Sequence, residues 1–262
     1  GYSYPIFSRY GKQMGMVGQG NRYDIRNAVE AANSARSWAK STAHLRAQIL
    51  YYLGENLSIR ADEFARRISE MTGQDSKESK EEVKLSIERL FTYAGWADKY
   101  DGAVHGAPIR GVALAMKEPV GTIGIICPDA LPLLGLISLI APALSMGNTC
   151  VVVPSEPFPL SATDLYQVFE TSDLPSGVVN LVTARHGEVI ESLSGHMDLD
   201  AVWYFGSSGL SATVEKLSTT NLKRNWLNHG KDRNWMDHKL GEGKDFLIQS
   251  TEVKNIWIPY GE

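Results

Sequence analysis

Beyond Gly106 the chain alternates short β-branched runs with longer helical stretches, and this rhythm limits the fold more than any other feature. Thr122–Ile126, Thr149–Val153, Val178–Val182, Ala201–Tyr204 and Leu222–Leu227 read as strands. Helical stretches fall between them, near 132–145, 160–170, 187–195 and 208–219. Strand–helix–strand units of this kind build a parallel sheet covered on both faces. TIGII and TCVVV do not alternate with polar residues, as expected for central strands. The expected fold is therefore α/β, a Rossmann-like doubly wound parallel sheet.

The front of the chain has a helical period. Ile25, Val29 and Ala32 share a face, and Leu45, Ile49, Leu53 and Leu57 recur at spacings near a helical turn. Three helices are expected over residues 24–100, broken near Ser41 and Gly73, with Lys77–Glu82 as a solvated first turn. Two pieces fall outside both patterns. APIRGVALAMKEP, 107–119, reads as a strand or hairpin, and FLIQSTEVKNIWIP, 246–259, alternates like an extended strand after Gly241–Gly243. Together they would form a small separate sheet with open edges, a flap that needs a cover. The expected divisions are 1–102 for the helical part, 103–120 for the first flap strands, 121–240 for the βαβ domain and 241–262 for the last flap strand.

Charge and composition remove several functions. With 26 Lys+Arg against 30 Asp+Glu, the net charge of −4 leaves no cationic surplus for nucleic acid or an anionic membrane. The longest apolar run, Leu131–Leu144, is shorter than the ~20 residues of a bilayer span. GYSYPIFSRYGK has no signal-peptide pattern, so a cytoplasmic location is expected, and Gly1 without a preceding Met suggests either a processed chain or an excised fragment. Cys127 and Cys150 sit in apolar runs and read as buried thiols, while the six histidines show no metal-binding spacing. There is no GxxxxGK[ST] or GxGxxG, and GSSGLS misses GxSxG because position 210 is Leu. The six tryptophans are scattered in sequence and read as packing residues.

Several motifs agree in order: CPDALPLLGLISLIAPALSMGNTCVVVPSEPFP at 127–159, LPSGVVNLV at 174–182, FGSS at 205–208 and STEVKNIWI at 250–258. This series resembles the aldehyde dehydrogenase superfamily, and within it the degenerate C-terminal domain of aldehyde dehydrogenase family 16. Tyr23–Trp38 is similar to the helical segment at the family's N-terminus. The resemblance implies lost chemistry at each catalytic position. Ala130 stands where the family has its oxyanion asparagine, a donor whose loss costs about 2.7–4 kcal/mol of transition-state stabilisation. Asn228 stands at the general-base glutamate and cannot take a proton at neutral pH. His229 beside it reads as an ordinary histidine. No cysteine follows Cys150, so the family's nucleophile is missing. Cys127 is no substitute, because its sequence neighbours include no base or cation.

Val153 replaces the lysine that contacts the adenosine ribose of the nicotinamide cofactor, leaving Ser155, Glu156, Gly206 and Ser207 as vestigial cofactor positions. The resemblance thus implies a non-enzyme that holds no cofactor, with a non-redox NAD module as the alternative. Thr251, Glu252, Val253, Lys254, Ile256 and Ile258 match the family's oligomerisation strand. They are expected to pair with a second copy as a homodimer, or with an aldehyde dehydrogenase catalytic domain, which could be the other half of a longer polypeptide.

Overall fold

The computed structural model describes residues 2–108 and 110–260. Gly1, Ile109 and Gly261–Glu262, which close or interrupt three of the expected segments, lie outside the described residues.

Five parallel strands form the central sheet: β5 (Thr122–Ile126), β6 (Thr149–Val153), β7 (Val179–Leu181), β8 (Ala201–Tyr204) and β9 (Arg224–Leu227). Their order is β7-β6-β5-β8-β9, so the chain winds outward from β5 in both directions. This is the expected doubly wound α/β sheet. The strand limits differ slightly from expectation. Leu222 is exposed at φ 57° in a turn, so β9 starts later than its apolar residues suggest.

Helix α5 (Pro132–Ser145) is buried at every residue, which is why its sequence shows no polar face. It packs against α2 (Ala43–Ile59), α4 (Ser76–Trp96) and α6 (Leu160–Thr171). The opposite face of the sheet is covered by α1 (Arg22–Ser34), α7 (His186–Ser194) and α8 (Ser211–Ser218), whose apolar residues join Ile126, Val151, Val153, Val202 and Tyr204. No helix among the described residues is long and apolar enough to cross a membrane.

The front differs from its sequence pattern in two ways. It opens with a hairpin, β1 (Ser3–Phe7) and β2 (Gln13–Gly18), turned at Gly11 with φ +77°. Only Ile6 and Val17 of this hairpin are buried, so its apolar alternation is faint. There are also four α-helices rather than three, because the chain breaks again at Arg60 between α2 and α3 (Ala61–Thr72). No Gly or Pro announces that break. Arg60 leaves helical geometry at φ −102°, ψ 12°, and its guanidinium grips Glu63 with two hydrogen bonds of 2.8 and 2.9 Å.

The flap is a three-stranded antiparallel sheet in the order β10-β4-β3, built from β3 (Ala103–Gly106), β4 (Gly111–Pro119) and β10 (Thr251–Pro259). The tail is not extended from Phe246. Lys244–Ser250 forms helix α9, which buries Phe246 and Leu247, and the strand begins only at Thr251. Here helical burial of two large apolar residues overrides an alternating pattern.

Candidate functional site

In an open α/β sheet, ligands approach the carboxyl ends of the strands, where the winding reverses. In this fold the reversal lies between β5 and β8. Pro128-Asp129-Ala130 follows β5, Pro154-Ser155-Glu156 follows β6, Gly206-Ser207 follows β8 and Asn228 follows β9. All the catalytic and cofactor positions expected from sequence therefore share one rim.

The polar side chains of Ser155, Glu156 and Asn228 are engaged with the protein itself, whereas Ser207 is exposed. Ser155, 1% exposed, donates to the Asp129 carbonyl at 3.2 Å and accepts from the Phe158 amide at 3.3 Å. Glu156 donates its amide to Asp129 Oδ1 at 3.0 Å, and its Oε2 accepts from the His186 amide at 2.8 Å. His186 opens α7, so Glu156 serves as that helix's acidic cap. His186 in turn donates from Nε2 to the Pro154 carbonyl at 2.9 Å. Sequence reading missed this role because the partners are far apart in the chain.

At the Gly206-Ser207 turn, the buried Tyr204 hydroxyl donates to the Ser207 carbonyl at 2.7 Å. A Cβ on Gly206 would lie 2.7 Å from that same hydroxyl, which explains the glycine without reference to a phosphate. A short 3₁₀ turn, Ser208–Leu210, separates Ser207 from α8.

Asn228 organises a turn. Its Nδ2 donates to the Lys231 carbonyl at 3.1 Å and its Oδ1 accepts from the Gly230 amide at 3.2 Å, while Gly230 adopts φ +69°. His229 is half exposed, 3.7 Å from Glu215 on the surface. Ala130 is exposed and offers no side-chain donor. Cys127 and Cys150 are both completely buried, and burial pushes both thiols up, away from the thiolate form. Beside this rim, Tyr4–Phe7 of the unexpected hairpin, Asp129, Glu156, Pro157 and Arg185 line an open pocket of about 490 Å³. No cluster of His, Cys, Asp and Glu suited to a metal occurs among the described residues.

The expected interface residues all lie on β10, the outer strand of the flap, but they do not form one surface. Register places Ile256 opposite Leu114 and Ile258 opposite Val112, whereas Val253 lies opposite Lys117. Since side chains alternate, Ile256 and Ile258 share a face with Leu114, Val112 and Val104, and Val253 projects from the other face with Trp257. Thr251 is buried at the strand's root, where Oγ1 donates to the Leu247 carbonyl. Lys254 pairs with Glu118 at 3.0 Å, and Glu252 is exposed.

The tryptophans are less scattered in space than in sequence. Trp203, Trp226 and Trp235 gather with Phe205 and Phe246 in edge-to-face pairs.

Residues 4–236 match the sequence profile of the aldehyde dehydrogenase family. The chain is 33% identical over 225 residues to an aldehyde dehydrogenase of Agaricus bisporus, covering 84% of this chain and 45% of that one. It is also 33% identical over 240 residues to human aldehyde dehydrogenase 1A1, covering 88% and 47%. Betaine aldehyde dehydrogenase of Staphylococcus aureus, solved in complex with NAD+, superposes with a TM-score of 0.82 at 28% identity, covering 86% of this chain and 46% of the other. The chain thus spans slightly less than half the length of these relatives. By profile, sequence identity and shared fold, this chain belongs to the aldehyde dehydrogenase family.

Proposed function

We propose that this chain is a non-catalytic member of the family whose work is assembly, carried by the flap. The observation that carries this reading is the state of the rim, where Ser155, Glu156 and Asn228 are committed to holding the fold. The base position is a turn-forming amide, the oxyanion position is an alanine, and the two thiols of the sequence are buried in or directly after central strands. Such a rim offers no accessible thiol nucleophile and no carboxylate at the family's base position. The same engagement argues against NAD, since Glu156 already holds the His186 amide and Val153 supplies no donor.

The flap supports the assembly half of the reading. β10 is an edge strand, and Val253 at 48%, Trp257 at 58% and Ile258 at 49% remain exposed along it. An edge with free main-chain groups and apolar side chains is satisfied by a second copy of the same strand about a two-fold axis. The family resemblance adds a second occupant, the catalytic domain of another aldehyde dehydrogenase chain. Mixing the purified protein with NAD+ and a short aliphatic aldehyde tests the catalytic half. No NADH absorbance is expected, and turnover that disappears in the Cys127→Ser variant would refute it. Calorimetric titration with NAD+ separates this reading from a silent NAD module, for which saturable binding is required.

A further inference from the structure

Residues 228–243 carry the chain from β9 directly into α9 and the flap strand, and three devices hold this segment down. The first is Arg233. Its guanidinium carbon lies 5.6 Å from the Phe205 ring centre, 5.3 Å from Trp226, 5.7 Å from Trp235 and 5.5 Å from Phe246. These rings come from the loop after β8, from β9, from the segment itself and from α9. One cation therefore draws on both the α/β domain and the base of the flap. Arg233 also donates to the Leu240 carbonyl at 2.7 Å, tying the two halves of the segment together.

The second device is Arg89 of α4, 1% exposed, which donates to Ser138 of α5 and to the Trp235 carbonyl, with Glu242 at 3.9 Å from its Nε. Gly241 permits this approach, because a Cβ there would lie 2.3 Å from Arg89 Nη2. In the third, the Tyr93 hydroxyl accepts from the Gly243 amide at 3.1 Å. Arg89 and Tyr93 are held on α4, whereas Arg233 enters its cage from a loop and is half-buried.

We propose that residues 228–243 act as a clasp with Arg233 as its pin, setting the position of α9 and β10 and so controlling whether the flap strand is presented for pairing. The link to pairing rests on the assembly reading given above; the clasp does not. The full chain carrying Arg233→Ala, Arg233→Lys or Arg233→Met is compared with the unaltered protein by hydrogen–deuterium exchange and by sedimentation. In Arg233→Ala, amides of residues 228–259 are expected to exchange about tenfold faster while β5 and β6 keep their protection. Lysine restores part of that protection, since an ammonium also binds aromatic faces, whereas methionine fills the cage without charge and does not restore it.

Equal exchange in the methionine variant and the unaltered protein would overturn the pin, reducing the cage to ordinary packing. So would faster exchange spread evenly through β5 and β6. Local loosening with an unchanged assembly mass would retain the clasp and refute its control of pairing. Should the alanine variant fail to fold, the lysine and methionine pair decides alone. A monomeric unaltered protein would remove the assembly reading, and the exchange pattern would still judge the clasp.

Discussion

At Asn228, an amide that cannot accept a proton at neutral pH closes a tight turn through the Gly230 amide and the Lys231 carbonyl. Its replacement by Ala leaves two solvent-accessible groups to water, so Asn228→Ala is expected to destabilise the fold by about 0.5–1.5 kcal/mol, read by urea unfolding. A second residue, Glu82, is silent in the sequence, where it reads as part of a solvated charge cluster. In the structure it is fully buried on α4, and its Oε1 accepts from the Leu133 and Leu134 amides at 2.9 and 3.2 Å. Burial pushes its carboxyl from 4.5 up to about 7. The fold therefore favours the protonated form. The stability this contributes is full below about pH 4.5 and is lost as pH rises through about 7. Glu82→Gln stays neutral throughout, so it should match the unaltered protein under acid conditions and exceed it by about 3 kcal/mol above neutrality. A stability difference between the two that does not vary with pH would contradict this assignment. That Ala130, Val153 and Asn228 would lie together at the carboxyl ends of the strands was legible from the strand rhythm and the order of the motifs. The engagement of Glu156 by His186 was not, because only the tertiary fold brings α7 to the end of β6.

Helix α2 meets α4 at Gly54, where a Cβ would lie 2.6 Å from the Phe91 ring. Alanine is the better helix former, yet Gly54→Ala is expected to destabilise by about 1–3 kcal/mol, because Phe91 must move from a packed position. Thermal unfolding measures this, and a more stable variant would show that helix propensity outweighs the close approach. The parallel strands were legible because runs such as TIGII and TCVVV are short, β-branched and regularly spaced between helical stretches. The hairpin at Ser3–Gly18 was not, since it buries only Ile6 and Val17, and α9 was hidden because its seven residues run straight into the β10 strand without a Gly or Pro. Register also revises the flap. Ile256 and Ile258 share an apolar face with Leu114, whereas Val253 faces the other way. Paired substitution of Ile256 and Ile258 by Asp should weaken self-association more than Val253→Asp, as read by sedimentation velocity. Equal effects from both would show that main-chain pairing, not this face, dominates.

As a whole, the molecule joins a doubly wound sheet to a three-stranded flap through a short connecting segment, and places Ala130, Ser155, Glu156, Gly206-Ser207 and Asn228 on one rim. The architecture was legible because strand rhythm and ordered motifs agree over most of the chain. The joining of the two parts was not, because it rests on Arg89, Tyr93, Arg233 and four aromatic rings that are dispersed in sequence. The assembly reading is tested most directly by sedimentation equilibrium of the full chain over a wide concentration range. It predicts a mass of about twice 28.9 kDa that falls toward 28.9 kDa when Ile256 and Ile258 are both replaced by Asp. A mass of 28.9 kDa for the unaltered protein at every concentration would contradict self-pairing through the flap.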